Sequence, residues 1–207
     1  MNNKCMENFV PDPTGVFLHE QEDIAYADAL VDTKTGDKLY RSFLAANAWR
    51  FGAVSNPNLG KRFWVLALQW QNENGDLVEF LKPVLSQASE AFGLKIEHVH
   101  NIYVNGQTAM QDGTVHTDNE GTLDYTILYY VNMDWHSDMG GATYFHTKGS
   151  SSPIALPFCP RRIALFSSRI PHHGAAPVET TDSLRMTLAY KIRCSAMPAI
   201  FNGRIRS

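Results

Sequence analysis

The chain is 207 residues long, 44% hydrophobic and 19% charged, the make-up of one globular domain rather than of a disordered segment. A formal net charge of −3 argues against the broad basic field of a nucleic-acid-binding surface and leaves such a partner only a local groove. Cys5, Cys159 and Cys194 lie far apart, which fits neither a disulfide framework nor a zinc-binding CxxC pair. The segment MNNKCMENFVPDP has no signal-like apolar run, and no apolar stretch approaches the roughly 20 residues that cross a bilayer. A reducing cytoplasm and no membrane partner are expected.

In chain order, residues 20–32 carry Ile24, Ala27 and Val31 at helical spacing and predict a short amphipathic helix. Residues 33–60 mix Gly, Asn and Pro with Tyr40, Phe43, Trp49 and Phe51, and read as irregular chain with aromatic anchors. RFWVLALQW, residues 62–70, reads as a buried strand. After the turn NENGD, Asp76 and Glu79 have capping-box spacing. Val78, Leu81, Val84, Leu85, Ala88, Ala91 and Phe92 then recur at three- and four-residue steps before Gly93. A helix over 77–92 follows, with Pro83 imposing a kink or a later start. From residue 96 onward, IEHVHNIYV, YTILYYVN, ATYFHT, RRIALFS and RMTLAYKI read as strands. Short strands without helices between them imply an antiparallel sandwich or barrel. The expected organisation is a single domain: a helical and irregular extension over 1–60 packed on a β-rich core over 61–207. It ends in the tail SAMPAIFNGRIRS, ordered or frayed.

The chemistry concentrates in a few of these strands. His116 and Asp118 are two apart, so an extended chain points both to one face. His172 or His173, after RRIALFS, supplies a third ligand. Two imidazoles and one carboxylate leave open positions on a metal, which is the facial set of non-haem iron(II) oxygenases. A chelating keto acid and O2 would take those positions. Arg185 and Thr187 repeat the two-residue spacing, and a guanidinium fork with a hydroxyl matches the distal carboxylate of 2-oxoglutarate. Asn101 and Tyr103 are spaced in the same way on the strand leading to His116, as hydrogen-bond donors to the keto acid. His98, His100, His136 and His146 have no spacing tied to this set and read as core or surface residues.

The segments NIYVNGQTAMQDGTVHTDNEGTLDYTILYYVNMDW, GGATYF, RRIALFSSRIPHHGAAP and LRMTLAYKI resemble the iron(II)/2-oxoglutarate-dependent dioxygenase superfamily, most closely its prolyl-4-hydroxylase-like branch. The likeness spans residues 97–193. It implies a mainly β fold with flanking helices around a double-stranded β-helix, or jelly-roll, core. It puts iron(II) on His116, Asp118 and one of the two adjacent histidines, with O2 as the other co-substrate and ascorbate as a reductant. It puts the C5 carboxylate of 2-oxoglutarate on Arg185, helped by Thr187. Asn101 and Tyr103, in Asn-x-Tyr-x-x-Gly, resemble the AlkB-type branch, where Asn and Tyr contact 2-oxoglutarate. The family pattern H-x-G-x-x-P selects His172, with Gly174 and Pro177, whereas the collagen-type spacing to Pro177-Val178 selects His173. Neighbours on a strand face opposite ways, so both do not ligate readily; His172 is preferred.

Arg185 stands where animal prolyl hydroxylases carry Lys, which weakens the case for a prolyl substrate. Asp118 stands where halogenases of the superfamily carry a small residue, which favours hydroxylation. The expected activity is hydroxylation of an unactivated C–H bond in a small molecule or amino-acid side chain, releasing succinate and CO2. The alternatives are a peptide or protein hydroxylase of prolyl type and a metal-binding β-barrel without catalysis.

Overall fold

The computed structural model describes residues 8–55, 58, 60–147 and 151–202. Cys5 and residues 203–207 of the expected tail lie outside the described residues. The chain opens with three strands, β1 (Phe9–Pro11), β2 (Phe17–His19) and β3 (Ile24–Ala27), followed by helix α1 (Thr33–Leu44). Strands β4 (Trp49–Ala53) and β5 (Phe63–Ala67) lead to helix α2 (Lys82–Phe92). Then come β6 (Ile96–Gln107), β7 (Asp124–Tyr130), β8 (Thr143–Phe145), β9 (Ile154–Leu156), β10 (Ile163–Ser167), β11 (His172–Gly174) and β12 (Arg185–Cys194).

Nine strands form one antiparallel sheet in the order β1-β2-β3-β10-β7-β12-β6-β5-β4, and β11-β8-β9 form a second. Phe145 of β8 meets Phe166 of β10 edge-on at 5.0 Å between ring centroids, so the inner faces of the two sheets pack together. The result is the mainly β jelly-roll architecture, with the two helices on the outer face of the large sheet. Val84, Ala88 and Phe92 of α2, with Leu39 and Phe43 of α1, are fully buried there against Leu188, Tyr190 and Ile192 of β12. Each fully buried Val, Leu, Ile or Phe among them contributes about 1.5–3 kcal/mol by leaving water.

Tertiary pairing overrides local periodicity at two places. The helix expected over 20–32 is absent. Ile24–Ala27 is instead a strand paired with β10, buried at all four positions. Ile24 and Tyr26 face the interior between the sheets, while Ala25 and Ala27 face the helices. Strict alternation with both faces buried is a strand pattern, and the spacing of Ile24, Ala27 and Val31 mimics a helix by coincidence. The stretch read as irregular over 33–60 holds α1 and β4. Asp32 caps α1 by accepting a hydrogen bond from the Thr35 amide at 3.0 Å, and Leu39 and Phe43 form its buried stripe.

The second helical expectation, over 77–92, is met in its later-starting form. A 3₁₀ turn over Glu79–Leu81 precedes α2, Pro83 sits in the first turn of the helix, and Gly93 ends it at φ 63°. The capping box does not form. The Asp76 amide bonds Asn72 Oδ1 at 2.9 Å in the preceding turn, and Glu79 pairs with Lys82. Of the tail, Phe201 is buried in the helix-side core. No helix among the described residues is long and apolar enough to cross a membrane.

Candidate active site

Strand β12 runs through the middle of the large sheet, and its alternation sets up the site. Met186, Leu188, Tyr190 and Ile192 face the helix-side core, while Arg185, Thr187, Ala189 and Lys191 line a cavity of about 620 Å³ between the sheets. Cross-strand register sets Gln107, Asn105, Tyr103 and Asn101 of β6 opposite those four residues in turn. On the other side, Thr187 pairs Tyr130, Ala189 pairs Leu128 and Lys191 pairs Thr126 of β7.

The segment after β6 runs antiparallel to the chain around β11. The Gly113 amide bonds the Gly174 carbonyl at 2.8 Å, and His116 and His172 exchange both backbone hydrogen bonds, at 3.1 and 2.9 Å. This pairing brings the two imidazoles to 4.6 Å between ring centroids. His116 Nε2 lies 3.3 Å from Asp118 Oδ1, and His172 Nε2 lies 3.4 Å from Asp118 Oδ2. Each residue offers a donor atom within 4.8 Å of the other two.

The donor set fits a divalent transition metal on its own chemistry. His116 Nδ1 is tied to the Thr114 carbonyl at 2.8 Å, and His172 Nδ1 to the Ile170 carbonyl at 2.9 Å. Those contacts place the ring proton on Nδ1 and turn the Nε2 lone pairs inward, toward Asp118. Burial pushes His172 down to about 4, further lowered by Lys191 and opposed by Asp118, so it is neutral and able to ligate at ordinary pH. Burial alone would raise the Asp118 carboxyl. The Lys191 ammonium beside it, with the neighbouring imidazoles of His116 and His172, outweighs this and holds the group well below the usual carboxylate range. Asp118 Oδ2 also accepts a hydrogen bond from Thr126 Oγ1 at 2.6 Å. His173 points the other way, as strand alternation requires. Its Nδ1 is 3.1 Å from His146 Nε2, and its ring stacks on Tyr144 at 5.3 Å.

These shifts fix a stability profile. The folded His172 has a value near 4 against 6.5 when unfolded, so between those values the unfolded chain binds a proton that the folded chain does not. Stability is full above 6.5 and declines as the pH falls toward 4, by up to about 3 kcal/mol. The lowered Asp118 extends the decline below the ordinary carboxylate value of 3.8. Thermal unfolding of the metal-free protein across this range should show the slope, and His172→Gln should remove its upper part. Equal slopes in the two proteins would contradict the assignment.

At the far end of the cavity Arg185 is 2% exposed. Its Nε donates to the Gly141 carbonyl at 2.7 Å, one terminal nitrogen to Gln107 Oε1 at 2.7 Å, and the other approaches Thr143 Oγ1 at 3.4 Å. All three acceptors are neutral. Among the described residues no carboxylate pairs with it, and burial pushes the guanidinium down to about 10. Two glycines make room around it. A Cβ on Gly174 would come within 2.9 Å of Gln107 Oε1 and 3.2 Å of an Arg185 terminal nitrogen, and Gly141 at φ 80° would meet Arg185 Cδ at 3.0 Å.

Of the residues singled out in the sequence, His116, Asp118 and His172 come together, and Arg185, Thr187, Tyr103 and Asn101 all line the same cavity. Tyr103 is half-buried and Asn101 exposed. Strand β6 runs on past the expected IEHVHNIYV as far as Gln107. Trp135 is a core residue, its indole donating to the Gly140 carbonyl at 3.0 Å. Sequence reasoning missed Asn105, Gln107, Thr126 and Lys191. Continuing the two-residue step from Asn101 and Tyr103 reaches Asn105 and Gln107, and continuing it from Arg185 and Thr187 reaches Lys191.

Residues 98–193 match the family model described as the 2OG-Fe(II) oxygenase superfamily. Among curated proteins, none matches the chain in sequence. Solved structures share the fold at low identity. A prolyl hydroxylase from Trichoplax adhaerens, in complex with a hypoxia inducible factor oxygen degradation domain peptide fragment, is 16% identical at a TM-score of 0.62, over 83% of this chain and 84% of that one. A prolyl-4-hydroxylase from Pseudomonas putida is 14% identical at 0.58, over 83% and 92%. The epimerase SnoN, in complex with Fe3+, alpha ketoglutarate and nogalamycin RO, is 11% identical at 0.57, over 84% and 79%.

Proposed function

We propose that this chain, whose residues 98–193 match the 2OG-Fe(II) oxygenase superfamily, is a non-haem iron enzyme that uses 2-oxoglutarate and O2 to hydroxylate an unactivated C–H bond of a small molecule or amino-acid side chain. In this reading His116, Asp118 and His172 hold iron(II), and Arg185 with Thr187 holds the distal carboxylate of 2-oxoglutarate. The observation that carries it is the buried guanidinium of Arg185, surrounded by neutral acceptors and facing a cavity that also contains the three metal donors. A buried cation without an anion is costly, and a dianionic co-substrate supplies the missing partner.

Bound iron, with keto acid and O2, supplies oxidation of the C–H bond with release of succinate and CO2. The chain's own residues orient and shield. The carbonyls of Thr114 and Ile170 fix both imidazole tautomers, Thr126 steadies Asp118, and Gln107 aims the Arg185 fork across the cleared space over Gly174. Asn105 and Tyr103 lie between the two ends, beside the path of the keto acid.

The cavity volume suits a small substrate, and Ala53, Val54 and Ser55 wall it from the segment before β5. This favours a small molecule over a peptide. A prolyl-type peptide substrate stays the second reading, favoured by the peptide complex of the Trichoplax neighbour. A cytoplasmic location belongs to the same proposal, supported by the free thiols of Cys159 and Cys194.

The histidine assignment has a direct test. His172→Ala should lose iron(II) binding, whereas His173→Ala should bind within about threefold of the parent, because His173 stacks outside the cavity. Equilibrium dialysis under argon measures both. The reverse pattern would transfer the ligand role to His173.

A further inference from the structure

Lys191 has no part in the reading above, yet its ammonium touches Oδ2 of Asp118. It sits in line with Arg185 on β12, its side chain is 16% exposed, and the Tyr103 ring lies 5.7 Å away. Asp118 Oδ2, the oxygen facing His172, therefore already carries two donors, Lys191 and Thr126, at the edge of the carboxylate a metal between the two imidazoles would share. We propose that Lys191 is a positioning residue that competes with the metal for Asp118 and so makes metal loading depend on the dianionic keto acid. The proposal rests on the co-substrate reading above.

The charges support it. Among the described residues, the permanently charged groups lining the cavity are Asp118, Asp124, Arg185 and Lys191. Asp124 is already neutralised by a two-pronged bond from Arg193, at 2.7 and 3.0 Å. That leaves one anion and two cations, a net charge of +1 before any metal enters. A divalent ion would raise the net charge to about +3 within a poorly screened space, and a dianion returns it to about +1. Metal alone is disfavoured, metal with keto acid is favoured, and the coupling is reciprocal. A lysine that only braced Asp118 would act in the opposite sense, strengthening the metal site.

Manganese(II) serves as the probe, its free concentration read by electron paramagnetic resonance with and without 2-oxoglutarate. The full chain is compared with Lys191→Met, Lys191→Gln and Lys191→Arg, with circular dichroism and melting checking each fold. The neutral variants should bind Mn(II) alone at least about tenfold tighter than the parent, the scale of a unit charge a few ångströms from a divalent ion even in water. The Arg variant should behave like the parent. The factor by which 2-oxoglutarate tightens Mn(II) should shrink correspondingly in both neutral variants. Unchanged or weaker Mn(II) binding in those variants overturns the competition. If the Met variant does not fold, the comparison of Gln with Arg decides. A parent in which 2-oxoglutarate fails to tighten Mn(II) sinks the co-substrate reading and this coupling with it. Tightening that persists undiminished in the neutral variants overturns the role of Lys191 alone.

Discussion

Arg185→Met should raise the dissociation constant for 2-oxoglutarate about 100-fold while leaving the protein folded. A buried, hydrogen-bonded charge pair truncated on one side loses about 2–5 kcal/mol, and 1.4 kcal/mol is tenfold in affinity. The stability side follows from the absence of a partner. Arg185 donates only to neutral oxygens of Gly141, Gln107 and Thr143, and burial already lowers its guanidinium to about 10. Its removal abolishes a desolvated charge and orphans two short-bonded acceptors, effects of opposite sign that leave a change of about 1 kcal/mol or less. Calorimetric titration of the metal-loaded protein with 2-oxoglutarate reads the first effect, and thermal unfolding the second. Affinity within threefold of the parent would remove Arg185 from the co-substrate site. A variant that does not fold would make it a structural residue.

Asp118→Ala should be the most damaging single change, costing function and stability for separate reasons. It removes the anionic donor of the metal set, so iron binding and turnover should fall by about 1,000-fold or more. It also removes the only carboxylate beside the Lys191 ammonium, which is left with Tyr103 and with Thr126 Oγ1 at 3.4 Å. An uncompensated buried charge costs about 3 kcal/mol. Combining it with Lys191→Met should restore much of the unfolding midpoint without restoring iron. Melting curves of the two single variants, the double variant and the parent form a complete cycle. Additive effects on stability would mean that the two side chains do not depend on one another.

The site was more legible than the fold around it, because the site is written in a spacing that strands preserve. His116 with Asp118 and Arg185 with Thr187 are each two apart, and a strand has no choice but to aim such pairs at one face. What sets the His172 ring beside His116, with His173 turned away, is the backbone exchange between residues 116 and 172, which only the folded chain supplies. Lys191 emerges only when the alternation of RMTLAYKI is carried past Arg185 and Thr187 to the far end of the strand. Gln107 lies two such steps beyond Tyr103, past the end of IEHVHNIYV, where Gly106 and Gln107 carry no strand signal.

The N-terminal half was harder for a physical reason. Strand β3 is buried on both faces, so Ile24–Ala27 lacks the polar alternation that marks a strand, and its partner β10 lies far away in sequence. Helix α1 contains Gly36 and few apolar residues, and its order comes from the Asp32 cap and the burial of Leu39 and Phe43. The helix over 77–92 was found from its stripe, but its start was set by Pro83, not by the Asp76–Glu79 spacing. Local signals thus located the elements with a clean stripe or alternation, and long-range pairing decided the others.

The central claim is that one cavity holds iron(II) and 2-oxoglutarate together. Anaerobic titration of the purified protein with iron(II) and then 2-oxoglutarate tests it directly, through the visible charge-transfer absorption that a keto acid on iron(II) produces. The account predicts a band that needs both additions, disappears in Asp118→Ala, and requires far more 2-oxoglutarate in Arg185→Met. A parent protein that shows no band with both present would contradict it.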